Sequence, residues 1–285
     1  MKYIFKAKRY FASVQNIYDY LHTLSFENSN RIQAIIPDYK WPTTGLIQFD
    51  KVQLKYKDKT DLIFDNISFT INNSEKIGIL SKTDICKTSL IDIMYRLCEL
   101  NDGKIYVDSI DISQIDIKHL RNQLFTVPQN PIFFGTIRFF LDPKTRYTDA
   151  EIWSALEKVH LKDKVSLIAS QLHYLIVGKT FSICEKQLFF LAKALLHHKK
   201  IVLLEENTTS EPKAMGLIHQ ILDKEFSSIT VLIVAHYLST VLPCNRILVM
   251  DNGRVLEFDN PSTLMNNQAS NLRKMWRDGE TVEGT

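Results

Sequence analysis

Residues 76–90 read KIGILSKTDICKTSL. A short apolar strand, Ile77-Gly78-Ile79-Leu80, runs into a tight turn, and Lys87-Thr88 opens an apolar helix. That order is the frame of a phosphate-binding loop, whose pattern is G-x-x-x-x-G-K-[ST]. Lys87 and Thr88 fill the last two positions, but Ser81 and Cys86 stand where the two glycines belong, and Asp84 lies inside the turn. The spacing places a nucleotide-type site on Ser81, Lys82, Thr83, Asp84, Ile85, Cys86, Lys87, Thr88 and Ser89, with an altered cradle. Backbone N–H groups make the anion nest of such a loop, helped by the N-terminus of the following helix. None of these residues is proline, so every N–H survives. Glycine adds access to positive φ and room for close approach. Holding another residue in such a conformation costs roughly 1–3 kcal/mol. Asp84 tolerates it better than most, yet its carboxylate carries the sign of a triphosphate. A loss of about 3 kcal/mol weakens binding by more than about a hundredfold. On these residues alone, a plain strand-to-helix turn that binds nothing stands beside the phosphate-binding reading.

Outward from this stretch, residues 46–56 alternate apolar and polar, a strand signal carried by Ile47, Phe49, Val52, Leu54 and Tyr56. Residues 63–71 read as a second strand, and 88–98 as the helix after the loop. Residues 104–126 read as a short hairpin, a helix and a strand ending at Val127-Pro128-Gln129. Residues 148–170 and 185–198 are helical, the latter with Leu188, Phe189, Leu191, Ala192 and Leu195 on its apolar face. A buried strand at 201–204 ends in Glu205-Glu206, a helix spans 215–226, and another buried strand at 230–235 ends at His236. Residues 247–250 and 255–258 form a closing hairpin around Asn252-Gly253. Short, wholly apolar strands each followed by a helix imply an α/β fold with a parallel sheet covered on both faces. Ligands of such sheets bind at the carboxyl ends of the strands, where Ser81, Glu205, Glu206 and His236 all fall. Upstream, residues 10–24 carry Phe11, Val14, Ile17, Tyr18 and Leu21 at helical spacing, and the polar stretch 25–44, with Pro37 and Pro42, reads as a linker.

The chain has 285 residues, 45% of them hydrophobic and 24% charged, enough for a real core in one large or two modest domains. A net charge of +3 argues against a dedicated nucleic-acid binder. Cys86, Cys98, Cys184 and Cys244 form no C-x-x-C pair, so they read as reduced thiols rather than a zinc or redox motif. No run of about 18 apolar residues occurs. The opening MKYIFKAKRYF is basic and aromatic, the composition of an interfacial helix or the tail of a transit peptide. Without a cleavage site, and with Asp19 and Glu27 close behind, a targeting role is not expected.

Five stretches in order complete the picture: VPQNPIFFGTIRFFLDP (127–143), FSICEKQLFFLAKALL (181–196), IVLLEENTTS (201–210), TVLIVAHYLSTV (230–241) and RILVMDNGRVLEFDNP (246–261). They resemble the nucleotide-binding domain of ATP-binding cassette (ABC) transporters, and in particular the second cassette of the multidrug-resistance-associated proteins of subfamily C. The likeness runs from about residue 13 to near 276. It implies a P-loop NTPase cassette over residues 45–280, with a mostly parallel core sheet, an antiparallel β layer and a helical subdomain at about 131–196. Residues 1–44 would be an amphipathic helix and linker, the remnant of the cytosolic end of a transmembrane helix; the membrane-spanning part itself is not in this sequence.

The resemblance assigns roles residue by residue. Tyr56 matches the aromatic that stacks on adenine; packing on its own domain is the competing reading. Lys87 would reach the β and γ phosphates, and Thr88, Gln129 and Glu205 would hold Mg²⁺. Glu206 matches the catalytic carboxylate, Gln129 the residue that senses Mg²⁺ and the attacking water, and His236 the switch histidine at the γ-phosphate. Glu205 stands where the family has aspartate, and its extra methylene moves the carboxylate by roughly 1 Å or more, a displacement that can cost about a hundredfold in rate. The signature L-S-x-G-Q appears as Phe181-Ser182-Ile183-Cys184-Glu185. Ser182 is kept, whereas Glu185 would oppose a phosphate brought from another cassette. The segment after Glu206 is one residue short, with Glu211 for the usual aspartate. The resemblance therefore implies an ATP- and Mg²⁺-binding ABC cassette, an ATPase by kinship whose turnover is weakened or absent. Its partners would be the transmembrane domain of a transporter and a second cassette, at the cytoplasmic face of a membrane, or in the cytoplasm if unpartnered. A catalytically dead cassette acting as a regulatory or interaction partner, and a truncated product without a role, are the other readings. The transported substrate is not written here, because its contacts lie in the membrane segments.

Overall fold

The computed structural model describes residues 2–23, 35–38, 40–56, 62–81, 83–176, 180–207 and 212–277. They fall into two units, Met1–Ile35 and Ile36–Thr285. The first holds helix α1 (Lys2–Thr23), which starts eight residues before the expected position 10.

The second unit runs β1 (Ile47–Leu54), β2 (Phe64–Ile71), β3 (Lys76–Ser81), α2 (Asp84–Met94), β4 (Asp102–Val107), β5 (Ile110–Asp111), α3 (Ile117–Gln123) and β6 (Leu124–Val127). It continues with α4 (Ile137–Leu141), α5 (Asp149–Lys158), α6 (Lys162–Ser166), α7 (Ile183–Leu196), β7 (Ile201–Glu205), α8 (Pro212–Glu225) and β8 (Thr230–Val234). It closes with α9 (Leu238–Val241), β9 (Arg246–Asp251), β10 (Arg254–Asp259), α10 (Pro261–Asn266) and α11 (Asn271–Arg277).

Two sheets result. The antiparallel one has the order β2-β1-β4-β5. In β1 the apolar positions change parity between Phe49 and Val52, and the structure answers with a register shift there and Lys51 at φ 48°. The bulge absorbs the extra residue, so Ile47, Phe49, Val52 and Leu54 are all buried. The second sheet has the order β10-β9-β3-β8-β7-β6, with β3, β6, β7, β8 and β9 parallel and β10 closing as a hairpin. Asn252 and Gly253 both take positive φ in its turn, as a two-residue hairpin requires. A Cβ on Gly253 would lie 2.4 Å from the Ile63 carbonyl oxygen.

The parallel strands are covered on both faces. Val202 and Leu204 of β7 join the core under α5, α7 and α8, while Ile201 and Leu203 join the core shared with the antiparallel sheet. Helices α4–α7, over residues 137–196, pack around Phe189, which touches Phe133 and Phe181 edge-on.

Two local expectations change. The pattern predicts the helix after the loop at 88–98, but α2 starts at Asp84 and ends at Met94. Ser81, Thr83, Ile85 and Cys86 keep negative φ. Without glycine to hold the turn open, residues 84–86 wind into the helix, and only residues 82–83 connect β3 to α2. The last residues of the stretch read as linker are tied down: Trp41 is buried and its ring N–H donates to Val107 O at 3.2 Å. Asp108 accepts from the backbone N–H groups of Thr43, Thr44, Gly45 and Leu46.

Phe189 is fully buried at the centre of the helical part. Phe189→Ala is expected to cost about 3–5 kcal/mol, read as a lower urea midpoint at unchanged slope. A cost below about 1 kcal/mol would mean that α4–α7 are not packed on this ring.

Candidate functional site

Strands β6, β7, β8 and β3 lie side by side and point the same way, so their carboxyl ends form one edge. Ser81 ends β3, Glu205 ends β7, Gln129 follows β6 by two residues and His236 follows β8 by two. Lys87, one turn into α2, is only 1% exposed, and its ammonium lies 3.5 Å from His236 Nδ1. The chain thus brings Ser81, Lys87, Gln129, Glu205, Glu206 and His236 together from four segments.

Glu206 is also only 1% exposed. Its Oε2 accepts from the backbone N–H of His236 at 2.5 Å and of Tyr237 at 3.0 Å, and its Oε1 accepts from the Thr240 hydroxyl. The carboxylate thereby sits at the start of α9 and holds the backbone that carries His236. Burial pushes its carboxyl above the usual range, while Thr240, the two N–H groups and the charge of Lys87 pull it back in part. Glu205 is raised too, by burial first; Gln129 N donates to its Oε2 at 3.2 Å, and Asp92 nearby adds like charge.

The other expected groups bond within their own neighbourhood. The Tyr56 hydroxyl donates to Asp92 Oδ2 at 2.8 Å and lies 3.1 Å from Ser89 Oγ, and burial pushes its phenol up to about 12. The Thr88 hydroxyl donates to Ile85 O at 3.2 Å. In the turn, Thr83 N donates to Ser81 Oγ at 3.3 Å and the Thr83 hydroxyl to Cys86 Sγ at 3.1 Å. Cys86 is buried against Ile63 O, and Ile85 is exposed. Lys82 lies outside the described residues, as does Glu211.

Ser182 is the N-cap of α7. Its hydroxyl accepts from Glu185 N at 3.2 Å, and Glu185 Oε2 accepts from Ser182 N at 2.8 Å, a capping box. Lys164 donates to both Glu185 oxygens, at 2.6 and 2.8 Å. Burial raises the Glu185 carboxyl, but Lys164 and Ser182 outweigh it and hold it below the usual range. The helix N-terminus is therefore served by a carboxylate of its own chain.

Sequence reasoning passed over Gln187, Asp92, Thr240 and Lys164. Gln187 is fully buried on the apolar face of α7, and its amide donates to Pro128 O at 3.1 Å and Glu205 O at 2.8 Å. A lone amide among Leu188, Phe189 and Leu191 was the available signal. Asn207 adds a tie to Gln129 O at 2.8 Å.

Thr88, Gln129 and Glu205 offer a hydroxyl, an amide and a carboxylate, an oxygen-only set that suits Mg²⁺. Among the described residues no group of three or more His, Cys, Asp or Glu side chains could hold a metal ion. A buried ammonium, a histidine and the N-terminus of α2 at one edge suit an anionic phosphate chain.

Comparison with known proteins agrees with this geometry. The family model described as "ABC transporter" matches residues 64–209. The chain is 37% identical over 270 residues to "Multidrug resistance protein mrp-7" of Caenorhabditis elegans, covering 93% of this chain and 18% of that protein. It is 39% identical over 240 residues to "ABC transporter C family member 14" of Dictyostelium discoideum, covering 82% and 18%. It is 37% identical over 238 residues to "ATP-binding cassette sub-family C member 2" of Rattus norvegicus, covering 82% and 15%. The chain thus spans less than a fifth of the length of these relatives. The solved structure of a bacterial Atm1-family ABC exporter with ATP bound superposes with a TM-score of 0.80 at 21% identity, over 95% of this chain and 48% of that one. At that identity it bears on the fold alone.

An acid whose folded pKa is raised stabilises the fold while protonated; that contribution is present below its unfolded pKa and is lost as pH rises through the folded value. Glu206→Gln is therefore expected to gain stability relative to the unchanged chain as pH rises from about 4.3, with the gain levelling off above the folded pKa. Urea midpoints across pH measure it. An identical pH dependence in the two proteins would show that burial of Glu206 costs nothing.

Proposed function

This chain belongs to the ABC transporter family, and we propose that it is a subfamily C cassette that binds Mg-ATP weakly and turns it over slowly or not at all. The observation that carries the reading is that the polar groups of the site already satisfy one another. Lys87 lies against His236, Glu206 holds the His236 and Tyr237 N–H groups ahead of α9, Tyr56 is held by Asp92, and Glu185 fills the N-terminus of α7. A ligand must displace some of these contacts before it gains its own, and only that difference appears as affinity.

The roles follow from position. The N-terminal N–H groups of α2 and the Lys87 ammonium face the phosphates, and the Tyr56 ring offers an apolar face to the base. Thr88, Gln129 and Glu205 would hold Mg²⁺, which supplies positive charge to the phosphate oxygens. His236 contacts the terminal phosphate. Glu206 would orient an attacking water, but its oxygens are engaged at α9, which supports slow turnover. The cassette works against a transmembrane domain and a second cassette at the cytoplasmic face of a membrane. The engagement of both Glu206 oxygens by His236 N, Tyr237 N and the Thr240 hydroxyl also favours a second reading, a cassette without turnover that serves as a regulatory or interaction partner of a transporter half.

Calorimetric or fluorescence titration with ATP, with and without Mg²⁺, tests the first reading. Affinity no tighter than millimolar is expected. The triple change Ser81→Gly, Asp84→Gly and Cys86→Gly should tighten it at least about tenfold, because glycine at 84 and 86 disfavours the first turn of α2 and glycine at 81, the end of β3, gives room for close approach to a phosphate. Micromolar affinity with brisk phosphate release from the unchanged chain would overturn the reading. Unaltered affinity in the triple variant would overturn the account of the loop. The second reading expects co-purification with a membrane protein, and a clean monomer from its own cells counts against it.

A further inference from the structure

Helices α8 and α9 leave a cleft of about 510 Å³ between them, a volume typical of small-molecule sites. Met215, Gly216 and His219 line it from α8, Thr240 and Pro243 from α9 and the turn after it, and Glu206 from just past β7. Residues 215, 216 and 219 share one face of their helix.

Gly216 is the fifth residue of α8, and glycine is the least favourable helix residue after proline. The packing does not ask for it: a Cβ built there meets nothing within 4 Å among the described residues. A larger side chain would instead take up space in the cleft. His219 adds a polar group with an open position. Burial holds its imidazole below the usual pKa, which favours the neutral ring, and a bond to the Thr240 backbone makes one nitrogen a donor. Nε2 is then an acceptor, buried and without a hydrogen-bond partner among the described residues. Glu206 has an open position as well. A carboxylate offers about four lone-pair sites; His236 N and Tyr237 N use those of Oε2, and the Thr240 hydroxyl uses one of Oε1.

Both open positions accept hydrogen bonds, so a ligand must bring donors. Charge agrees with this. Glu206 is the only acid lining the cleft, and no lysine or arginine lines it among the described residues. Lys87 acts on Glu206 without lining the cleft. Asp223, one turn beyond His219 on α8, adds a second negative charge that acts on the imidazole. An anion would meet acceptors and like charge here, whereas a cation with several N–H groups meets what it needs. Met215 and Pro243 give the rest of such a molecule an apolar wall.

We propose that the α8–α9 cleft is a site for a small organic cation of the amidine or guanidine class, its N–H groups on Glu206 and His219 and its apolar part over Gly216. This goes beyond the cassette reading and needs no nucleotide; a failed ATP titration leaves it standing, and its own failure leaves that reading untouched.

Ligand-observed NMR titration of the full chain with benzamidine tests it, with benzamide and benzoate as the neutral and anionic counterparts of the same ring. Saturable binding of benzamidine is expected, at least about tenfold tighter than that of either counterpart. Gly216→Leu puts a side chain into the cleft and favours the helix, so binding should fall at least about tenfold while the urea midpoint does not drop. His219→Leu keeps the apolar volume and removes the acceptor, with the same loss of binding expected. If one of these two variants lowers the urea midpoint, the other decides. Glu206→Gln should bring benzamidine and benzamide within about twofold of each other. No saturable binding, benzoate bound as well as benzamidine, or a preference for the cation that survives Glu206→Gln would each overturn the proposal. Folded α8 variants that bind like the unchanged chain would do the same, since the probe would then sit elsewhere.

Discussion

Parallel pairing in register along β6, β7, β8 and β3 is the constraint on which the site depends. Val127 is opposite Leu204, Glu205 opposite Val234, and Val234 opposite Ile79. That alignment brings Gln129, Glu205, Glu206, His236 and Ser81 to one edge. A slip of one residue in any strand would send its apolar side chains to the opposite face and its terminal polar group with them. Burial on both faces makes such a slip costly, so the position of the site is as firmly held as the core.

At that edge the chemistry is closed upon itself. Lys87 and Glu206 are both nearly inaccessible, and the ammonium is close enough to offset part of the burial that raises the carboxyl. Charges buried together are tolerated because each has a counter-charge or hydrogen-bond donors. Glu185 shows the same logic in α7. As a lone carboxylate it would repel phosphate, but with Lys164 on one side and Ser182 N on the other it is a compensated pair. What it withdraws is less the sign of the surface than the unsatisfied N–H groups that an incoming anion would need. Gln187 connects these regions: one uncharged amide ties α7 to the segment after β6 and to the end of β7.

Much of the fold was legible from pattern. The apolar runs of β7 and β8, the Asn252-Gly253 hairpin and the face of α7 follow from burial and turn chemistry, which act locally. The parity change in β1 was also visible, as Phe49 and Val52, although only the bulge at Lys51 explains it. Less legible was the start of α2. The loop pattern predicts an open turn to Lys87, whereas the residues that replace glycine carry the helix back to Asp84.

The amino-acid sequence by itself determined the elements, the α/β class and the residues available at the strand ends, because hydrophobic periodicity and motif spacing are properties of the chain. Only the tertiary structure decided how those residues are used. That Glu206 holds the backbone of His236 and Tyr237, that Tyr56 turns to Asp92, that Lys164 neutralises Glu185 and that Gln187 joins two strand ends are facts of side-chain direction across segments distant in sequence. Hydrogen bonds are satisfied by whatever partner the packed fold delivers, and no local pattern records which partner that is.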